Sequence, residues 1–486
     1  MSLYTQSHTR IVDVHDHVDI MIGTEITVAG SIRFAQKHGS KLLFIKLSDG
    51  SCPADLLLVV RTTSDGDDLK RARKECTRGV SMKATGILIE SRGKEQDVEL
   101  KVTSFETFGS CPSGHPIPKT DLTMDYIRGH PEFRIVTQVM QSVMTIRNEC
   151  FKATHDFFQG QKFQWIATPL ITSSDCEGAG ETFTVTTMMG PKTKTSDIPT
   201  LDDGSVDYEK DFFGKLSSLT VSGQLNVETY VKTFGQVYTF GPTFRAEDSN
   251  TYRHLAEFWM IEPEIAFADL KTDMDLAEDY VKYCLCGVLT NCRGALEILS
   301  GHENKSEVHL DIPMIEKIAK CDKFPRITYT DAIEMLEKST TEFEFPVSWG
   351  IDLSSEHEKE IVKMLGNIPV FVHQYPRAIK AFYMKETAGC DPDRMTVQSM
   401  DLLVPGIGEL IGGSSREDSY DRLNTRIEEV GVDPDSMKWY LDLRKYGACP
   451  SSGFGLGFER LVQFASGMHN IKDTIPFPRY PGKCDC

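Results

Sequence analysis

The densest cluster of side chains able to do chemistry lies between residues 240 and 264. Two consecutive segments, Phe240–Glu247 and Arg253–Glu264, combine basic, aromatic and acidic residues around a short polar stretch. Fixed cations can bind the phosphates of a nucleotide, and carboxylates can bind an ammonium group. The pattern therefore predicts a strand, a loop and a strand that bind ATP together with a small zwitterion. A second acidic and basic pair, Glu459 and Arg460, follows the glycine-rich stretch Gly455–Gly457.

Length and composition indicate a multidomain globular protein. The chain has 486 residues, too many for one ordinary core, and 40% of them are hydrophobic and 26% charged. Its longest aliphatic run, Leu56–Val60, is far shorter than the roughly 20 residues that a membrane span needs. Residues Met1–Arg10 show neither a secretory signal nor a transit signal. We therefore expect a cytoplasmic protein without a membrane span.

Net charge and cysteine content narrow the possible partners. The formal net charge of −18 argues against a general nucleic-acid binder, because phosphate binding normally leaves a basic footprint. The first 120 residues, however, carry nearly equal numbers of basic and acidic side chains, with a basic run at Lys70–Lys74. The 13 cysteines, an odd number, suggest no disulfide framework, and the two C-x-C pairs lack the second pair of a zinc site. We expect reduced thiols.

Five short apolar-rich runs in the first hundred residues predict a small β-barrel. They are Glu25–Arg33, Lys41–Leu47, Asp55–Val60, Met82–Ile89 and Val98–Val102. A helix-compatible stretch, Asp67–Gly79, separates the third run from the fourth. Five strands with a helix after the third are typical of the OB-fold, which often binds single-stranded nucleic acid. A β-sandwich is the structural alternative.

The rest of the chain predicts a second, larger domain. A stretch rich in Pro and Gly within residues 110–131 indicates a linker between domains at 1–109 and 132–486. Apolar spacing predicts an amphipathic helix from Glu132 to Gln159. A strand at Phe163–Ile171 should lie at an edge or interface, because its Pro169 has no N–H for a ladder.

Three further segments of this domain have a distinct pattern. Residues 188–215 are polar and indicate a surface insertion, whereas residues 271–327 show helical periodicity. The stretches Thr396–Gly413 and Gly453–Gly467 predict three strands followed by a helix.

These segments resemble the signature motifs of class II aminoacyl-tRNA synthetases. The long helix with its Pro169 strand is similar to motif one, residues 244–258 to motif two, and Gly455–Arg460 to motif three. With the OB-fold they resemble the aspartate, asparagine and lysine subgroup over residues 25–482. The resemblance implies an α+β multidomain fold, in which an antiparallel β-sheet flanked by helices forms the catalytic domain. It also implies ATP and tRNA as partners and a homodimer formed through motif one.

Within that subgroup the chain is most similar to the asparaginyl-tRNA synthetases. The similar segments are residues 174–181, 211–215, 219–225, 406–417 and 475–479. Two positions differ from the aspartyl enzymes. This chain has Val227 where those enzymes usually carry a Lys, and Glu262 where they carry an Asp. The resemblance implies ligation of asparagine to its tRNA through an asparaginyl-adenylate. The alternatives are an aspartyl or relaxed Asp/Asn enzyme and a non-enzymatic RNA-binding scaffold, which should have lost a residue such as Arg245 or Arg460.

Activation of an amino acid by ATP needs fixed positive charge more than a general base, because charge builds on phosphate oxygens. The resemblance implies that Arg245 contacts the α-phosphate and the substrate carboxylate. It implies that Arg253, His254 and Arg460 hold the γ-phosphate. Phe258 and Arg460 suit a sandwich around adenine by stacking and cation–π contact. The expected ATP-binding residues are Arg245, Glu247, Arg253, His254, Phe258, Glu409, Gly457 and Arg460, with Arg245 and Arg460 as catalytic residues.

Asp401 and Glu409 flank a glycine-rich turn and form a candidate Mg²⁺ site. Carboxylate oxygens can bridge Mg²⁺ to phosphate oxygens while pyrophosphate leaves. A solvated acidic face is the alternative, but the apolar run Leu402–Pro405 argues against exposure.

By resemblance, asparagine is recognised by Glu177, Ser222, Gln224, Glu262 and Arg416. Glu177 and Gln224 would hold the ammonium group, and Arg416 would donate to the side-chain carbonyl oxygen. Glu262 would accept from the amide NH₂, which disfavours aspartate because two carboxylates would meet without a donor. Such a site can discriminate by roughly 10⁴ without an editing domain. A strand-end salt bridge is the alternative for Glu262 and Glu264.

The predicted barrel offers two residues for the tRNA anticodon. Phe44 on the second strand could stack on a base, and Arg33 could contact phosphates. A position in the barrel core is the simpler interpretation of Phe44. The family usually has a Gln on the third strand, where this chain has Leu57, a departure that bears on anticodon reading.

Overall fold

The structure, a computed structural model, describes residues 7–61, 67–91, 93, 96–112, 114–118, 122–174 and 181–486. Contacts between Cα atoms divide the chain into two compact units, Met1–Val143 and Met144–Asp485. Among the helices of the described ranges, none combines the length and the apolar content that a membrane span requires. We keep 1–109, 110–131 and 132–486 as the proposed domain boundaries, since the last barrel strand ends at Phe108.

The first unit contains a closed five-stranded barrel with the strand order β1-β2-β3-β5-β4. Its strands are β1 (Glu25–His38), β2 (Leu42–Ser48), β3 (Leu56–Arg61), β4 (Ser81–Glu90) and β5 (Val98–Phe108). The helices of this unit are α1 (Ile11–Asp16), α2 (Val18–Met21), α3 (Asp67–Glu75) and α4 (Met124–Arg128). Strands β3 and β5 pair in parallel, and the other neighbours pair antiparallel. The predicted OB-fold is confirmed, with its helix after the third strand.

Alternate side chains of each strand fill the barrel, as the two-residue period of a strand requires. On β2, Leu43, Ile45 and Leu47 are buried, whereas Phe44 and Lys46 between them stay partly exposed. Phe44 therefore lies on the outer face, and its alternative placement in the core is wrong.

The second unit is built on an eight-stranded sheet with the order β11-β12-β13-β14-β15-β10-β9-β6. Its strands are β6 (Gln164–Trp165), β9 (Gln236–Phe244), β10 (Glu257–Ala266), β11 (Arg326–Thr328), β12 (Val370–His373), β13 (Ser399–Val404), β14 (Gly408–Ser415) and β15 (Ser451–Gly457). A separate antiparallel pair consists of β7 (Ile171–Thr172) and β8 (Ser218–Leu219). The strands from β12 to β9 pair antiparallel, which confirms the expected sheet. The two outermost pairs are parallel.

Helices flank this sheet. They are α5 (Gln138–Gly160), α6 (Gln224–Phe234), α7 (Leu270–Asn291), α8 (Arg293–Ser300), α9 (Ile312–Ala319), α10 (Tyr329–Glu337), α11 (Ser355–Met364), α12 (Tyr420–Glu429), α13 (Lys438–Lys445) and α14 (Phe458–Ser466). The long helix α5 stacks Phe158 on Tyr238 of β9, with 4.9 Å between the ring centroids. Its first predicted residues form a separate 3-10 turn, Arg134–Val136.

The strand predicted around Pro169 is interrupted. Strand β6 ends at Trp165 and β7 begins at Ile171, so the continuous strand Phe163–Ile171 was wrong. Pro169 lies in the gap, where its missing N–H breaks no ladder. The edge position is confirmed, because β6 is the outermost strand of the sheet. Residues 188–215 are mostly exposed and contain two 3-10 turns, Thr195–Asp197 and Tyr208–Lys210.

Candidate active site

One cavity of about 150 Å³ brings together every residue that the sequence predicted for nucleotide binding. Arg245 directly follows β9, Phe258 lies on β10, and Glu409 lies on β14. These strands are close neighbours in the sheet, so side chains that are far apart in sequence meet over its surface. The predicted residues in the lining are Arg245, Glu247, Arg253, His254, Phe258, Glu409, Gly457 and Arg460.

The two predicted catalytic arginines are held by neighbours within this cavity. Arg245 places its guanidinium carbon 5.6 Å from the centroid of the Phe258 ring. Arg460 donates through Nη1 to the Glu409 carbonyl oxygen at 2.9 Å, and the same nitrogen lies 3.5 Å from the Glu409 carboxylate. Glu459, next to Arg460, also lines the cavity and forms an ion pair of 2.8 Å with Arg147. The cavity therefore presents several guanidinium groups, and the Glu409 carboxylate lies close to that of Arg460.

His254 and Glu247 lie at the open side of the cavity, with 43% and 44% of their side chains exposed. His254 Nδ1 lies 2.6 Å from Thr251 Oγ1 and 2.9 Å from Ser249 Oγ, which orients the ring. Partial burial, together with the nearby arginines, lowers the pKa of His254, despite the opposing charge of Glu247. A neutral imidazole at neutral pH can still donate one N–H to a phosphate oxygen.

Asp401 and Glu409 converge on one point of the sheet. A Cβ atom at Gly412 would lie 3.1 Å from Glu409 Oε1 and 3.6 Å from Asp401 Oδ1. Asp401 is 8% exposed, so a solvated acidic face is the wrong interpretation for it. Lys380, which the sequence did not single out, donates to both oxygens of Asp401 at 2.9 and 3.1 Å.

This pair fits a magnesium ion that shares its coordination with phosphates. Two carboxylates supply hard oxygen donors, and Mg²⁺ in nucleotide sites is usually held by one or two carboxylates plus phosphate oxygens. In the described part of the chain, no group of three His, Cys, Asp or Glu residues could hold a metal alone. The ammonium group of Lys380 already compensates part of the negative charge of Asp401. The residues present therefore fit an ion that arrives with the nucleotide.

The N-terminus of α6 carries two of the residues predicted for asparagine binding. Ser222 donates its hydroxyl to Glu262, and Gly223 donates its N–H to the same carboxylate at 2.8 Å. The Ser222 oxygen in turn accepts the N–H of Gln224 at 3.1 Å. Glu262 is 4% exposed, and these hydrogen bonds hold its carboxylate at the start of α6.

Arg416 forms a bidentate ion pair with Glu264 of β10. Its Nη2 donates to Glu264 Oε2 at 2.8 Å, and its Nε lies 3.1 Å from Glu264 Oε1. Both side chains are almost fully buried. The salt-bridge alternative thus applies to Glu264. Gly453 permits the pair, because a Cβ atom there would lie 2.2 Å from Glu264 Oε2.

Glu228 is a residue of this site that the sequence analysis missed. Its Oε1 accepts from Gln224 Nε2 at 3.0 Å and lies 3.8 Å from Arg416 Nε. Its Oε2 accepts from Tyr440 Oη at 2.7 Å and from Arg444 Nη2 at 3.0 Å. The i, i+4 spacing of Gln224 and Glu228 on one helix was the available signal.

Val227, which the sequence analysis used to argue against an aspartyl enzyme, does not face Arg416. It is fully buried in an apolar cluster with Val231 and Val237. The helix therefore presents the carboxylate of Glu228 to Arg416, while Val227 packs on its other side. Glu177, predicted to hold the substrate ammonium, lies outside the described residues.

The two barrel residues predicted to read the anticodon have different environments. Phe44 is partly exposed on the outer face and pairs across the strands with Val59, beside the Lys46 and Leu57 pair. Arg33 is only 13% exposed and forms an ion pair of 2.9 Å with Asp55. Its guanidinium is thus already paired with a carboxylate of the same unit, and the expected contact of Arg33 with phosphates stays a prediction.

Comparison with known proteins accords with this geometry. Residues 129–481 match the class II tRNA synthetases (D, K and N), and residues 26–108 match the OB-fold nucleic acid binding domain. The chain belongs to this class II synthetase family. All the cavity residues described above lie within the matched range, and the resemblance inferred from the three motifs is confirmed.

Several members of the family are similar over most or all of their length. The asparagine–tRNA ligase of Psychromonas ingrahamii is 45% identical over 483 residues, which cover 99% of this chain and 100% of that protein. The chloroplastic/mitochondrial asparagine–tRNA ligase of Arabidopsis thaliana is 46% identical over 470 residues, 96% of this chain and 81% of its own. A crystal structure of asparaginyl-tRNA synthetase from Pyrococcus horikoshii, complexed with asparaginyl-adenylate, superposes with a TM-score of 0.84 at 29% identity. It covers 99% of this chain and 100% of the other.

Proposed function

We propose that this protein ligates L-asparagine to its tRNA in two steps, through an asparaginyl-adenylate. The observation that carries the proposal is the similarity, at 45% identity over 99% of the chain, to an asparagine–tRNA ligase. The cavity geometry supports it, because the guanidinium groups and an aromatic ring suit a bent ATP molecule beside a buried polar pocket.

In the first step, the asparagine carboxylate attacks the α-phosphate of ATP and pyrophosphate leaves. Arg245 contacts the α-phosphate and the carboxylate. Its fixed positive charge stabilises the transition state, because negative charge builds up on the phosphate oxygens. Arg253, His254 and Arg460 hold the γ-phosphate. Phe258 and Arg460 enclose the adenine, whose amino group donates to Glu247.

Magnesium, carried by Asp401 and Glu409, would supply Lewis-acid stabilisation of the phosphate oxygens. Burial raises the pKa of Asp401, and Lys380 opposes this shift. Lys380 also orients the carboxylate, because its ammonium lies within hydrogen-bond distance of both oxygens. Glu409 is held in turn by Arg460. These contacts leave the two carboxylates fixed in place before the nucleotide binds.

Selection of asparagine over aspartate follows from the charge around Arg416. Glu264 and Glu228 lie within 4 Å of its guanidinium, so its positive charge is already compensated. A neutral amide can accept from Arg416 and donate to a neighbouring carboxylate, whereas a substrate carboxylate would add an uncompensated negative charge. Ser222 and Gln224 are proposed to bind the substrate backbone, and Glu177 keeps its expected role at the ammonium group.

The assignment of the amide acceptor changes with this geometry. Glu262 was expected in that role, but its carboxylate accepts from the Ser222 hydroxyl and the Gly223 N–H. We propose Glu264 as the carboxylate that shares Arg416 with the asparagine side chain. Glu262 then orients Ser222 at the start of α6, beside the substrate ammonium.

In the second step, the 3′-terminal adenosine of the tRNA attacks the adenylate and AMP leaves. The anticodon is proposed to bind the outer face of the barrel at Phe44, whose exposed ring can stack on a base. A homodimer is proposed through α5 and the segment around Pro169. Exposed apolar side chains there, such as Phe151 at 38%, Trp165 at 42% and Leu170 at 39%, support it. The cytoplasm is the proposed compartment.

Aminoacylation of a tRNA transcript with an asparagine anticodon tests the proposal. The protein should attach asparagine to the 3′ end in an ATP-dependent reaction. Absence of charging by a protein that binds both ATP and the tRNA would overturn it.

A further inference from the structure

Glu358 is a buried carboxylate to which none of the roles above has been assigned. It lies on α11, and 11% of its side chain is exposed. The first turn of this helix is held by a capping box between Ser354 and His357, and His357 Nε2 lies 3.0 Å from the Phe345 carbonyl oxygen. Helix α11 packs against β13 and β14. Glu358 is therefore presented to the edge of the nucleotide site by a well-anchored helix.

Two residues assigned to ATP binding meet at this carboxylate. Arg253 Nη2 lies 3.5 Å from Glu358 Oε2, and the Glu409 N–H donates to the same oxygen at 3.2 Å. Arg253 comes from the segment between β9 and β10, whereas Glu409 belongs to β14. Glu358 thus contacts two chain segments that are far apart in the sequence.

Gly408 provides the space for this contact. Its φ of +93° lies in the region that favours glycine, and a Cβ atom there would lie 2.2 Å from Glu358 Oε2 and 3.2 Å from Arg253 Nη2. Any other residue at position 408 would have to displace the carboxylate. The turn is therefore shaped to admit Glu358.

We infer that Glu358 is a positioning residue that holds Arg253 and Glu409 ready for the β- and γ-phosphates of ATP; this rests on the proposed function. Arg245, Arg253 and Arg460 line one small cavity and repel one another before a nucleotide arrives. The carboxylate of Glu358 reduces that repulsion. It also restricts the long side chain of Arg253 before ATP binds, so that less rotamer freedom is lost on binding.

A purely structural ion pair is the competing account, and two substitutions separate the possibilities. Glu358→Gln keeps an oxygen that can accept from the Glu409 N–H but removes the charge that faces Arg253. Glu358→Ala removes both. Glu360→Gln is the matched control, since this carboxylate lies on the same helix, is also 11% exposed and binds Lys363, Ser339 and Thr341 instead.

The experiment measures equilibrium binding of ATP and of AMP to the full-length protein, with KM for ATP, kcat of asparagine-dependent pyrophosphate exchange, and Tm. Glu358→Gln should weaken ATP binding about tenfold and Glu358→Ala more, while AMP binding changes less than about twofold. AMP lacks the phosphates that Arg253 is proposed to hold. In Arg253→Ala, the further change Glu358→Gln should have little additional effect on ATP binding, because the glutamine still accepts from the Glu409 N–H.

Two results would overturn the inference. One is a loss of Tm in Glu358→Gln with ATP affinity equal to that of Glu360→Gln, which is the outcome of a structural role. The other is an equal loss of ATP and AMP binding. Failure of the proposed function is distinct, because it would show as a wild-type protein that binds ATP but performs no asparagine-dependent exchange.

Discussion

Arg416 and Glu264 form a buried bidentate ion pair, with Arg416 Nη2 2.8 Å and Nε 3.1 Å from the two carboxylate oxygens. The pair lies beside Glu228, so the positive charge that a substrate side chain could meet is already balanced. Burial raises the pKa of Glu264, and the positive charge of Arg416 opposes this shift. An arginine in this state can donate a hydrogen bond to a neutral amide but offers no surplus charge to a carboxylate.

Removing one charge from this pocket should change its selectivity. In Glu264→Gln, Arg416 would be left with less compensation, so the ratio of aspartate- to asparagine-dependent exchange should rise at least about tenfold. The asparagine reaction itself should become slower, because a buried pair has been broken. Pyrophosphate exchange with each amino acid provides the measurement.

Glu278→Gln is the control for that substitution. Glu278 is a buried carboxylate bound to Lys282 and Arg326, and it contributes to none of the cavities assigned to substrates. It should lose stability without a change in selectivity. If both variants kept the wild-type ratio, the charge balance at Arg416 would not be the source of selection.

Arg245→Ala should reduce exchange by about 10³ or more, because the fixed charge at the α-phosphate would be lost while the fold is kept. Circular dichroism and Tm would verify the fold. Arg293→Ala, which removes an exposed arginine paired with Glu297 and Glu316, should leave exchange near the wild-type rate. An active Arg245→Ala variant would mean that this arginine does not contact the reacting phosphate.

Glu409→Gln should raise the Mg²⁺ concentration needed for half-maximal exchange by about tenfold or more, because one of two carboxylate ligands becomes a neutral amide. A magnesium titration at fixed ATP measures this. Glu429→Gln removes a carboxylate that pairs with Arg377 and Arg426 elsewhere, and it should leave the titration curve in place. An unchanged curve for Glu409→Gln would remove this residue from the metal site.

Phe44→Ala should raise KM for tRNA roughly tenfold and leave pyrophosphate exchange unchanged, since stacking of one base contributes about 1–3 kcal/mol. Charging and exchange rates of the same preparation provide the comparison. Phe108→Ala removes another exposed phenylalanine of the barrel, at the end of β5, and should affect neither rate. Equal losses in the two variants would show that the ring of Phe44 has no specific contact.

Much of the fold could be predicted because its patterns are local. The barrel strands, the long helix α5 and the edge position of β6 all follow from periodicity and from Pro169. The break between β6 and β7 could not be predicted, because a Pro-bearing apolar run fits either a bent strand or two short ones. Helices α12 and α13 pack against each other in an apolar cluster that includes Leu225 of α6, and they were not identified from the sequence.

The clustering of the eight residues expected to bind the nucleotide could be predicted from the three motifs, and all eight line one cavity. Their contact with a nucleotide stays a prediction. The partners of Arg416 could not be predicted. Glu264 and Glu262 are both acidic residues on β10 and differ by one strand repeat. The choice between them depends on which one reaches Arg416, which directly follows β14, and which one reaches the start of α6. Lys380 and Glu358 make contacts between distant segments, which no short motif records, whereas the i, i+4 spacing of Gln224 and Glu228 was a local signal.

Pyrophosphate exchange driven by asparagine, compared with exchange driven by aspartate at equal concentration, tests the central claim most directly. The compensated charge of Arg416 predicts exchange with asparagine and a rate with aspartate lower by roughly 10⁴ in kcat/KM. Equal rates with the two amino acids, or a faster rate with aspartate, would contradict the account.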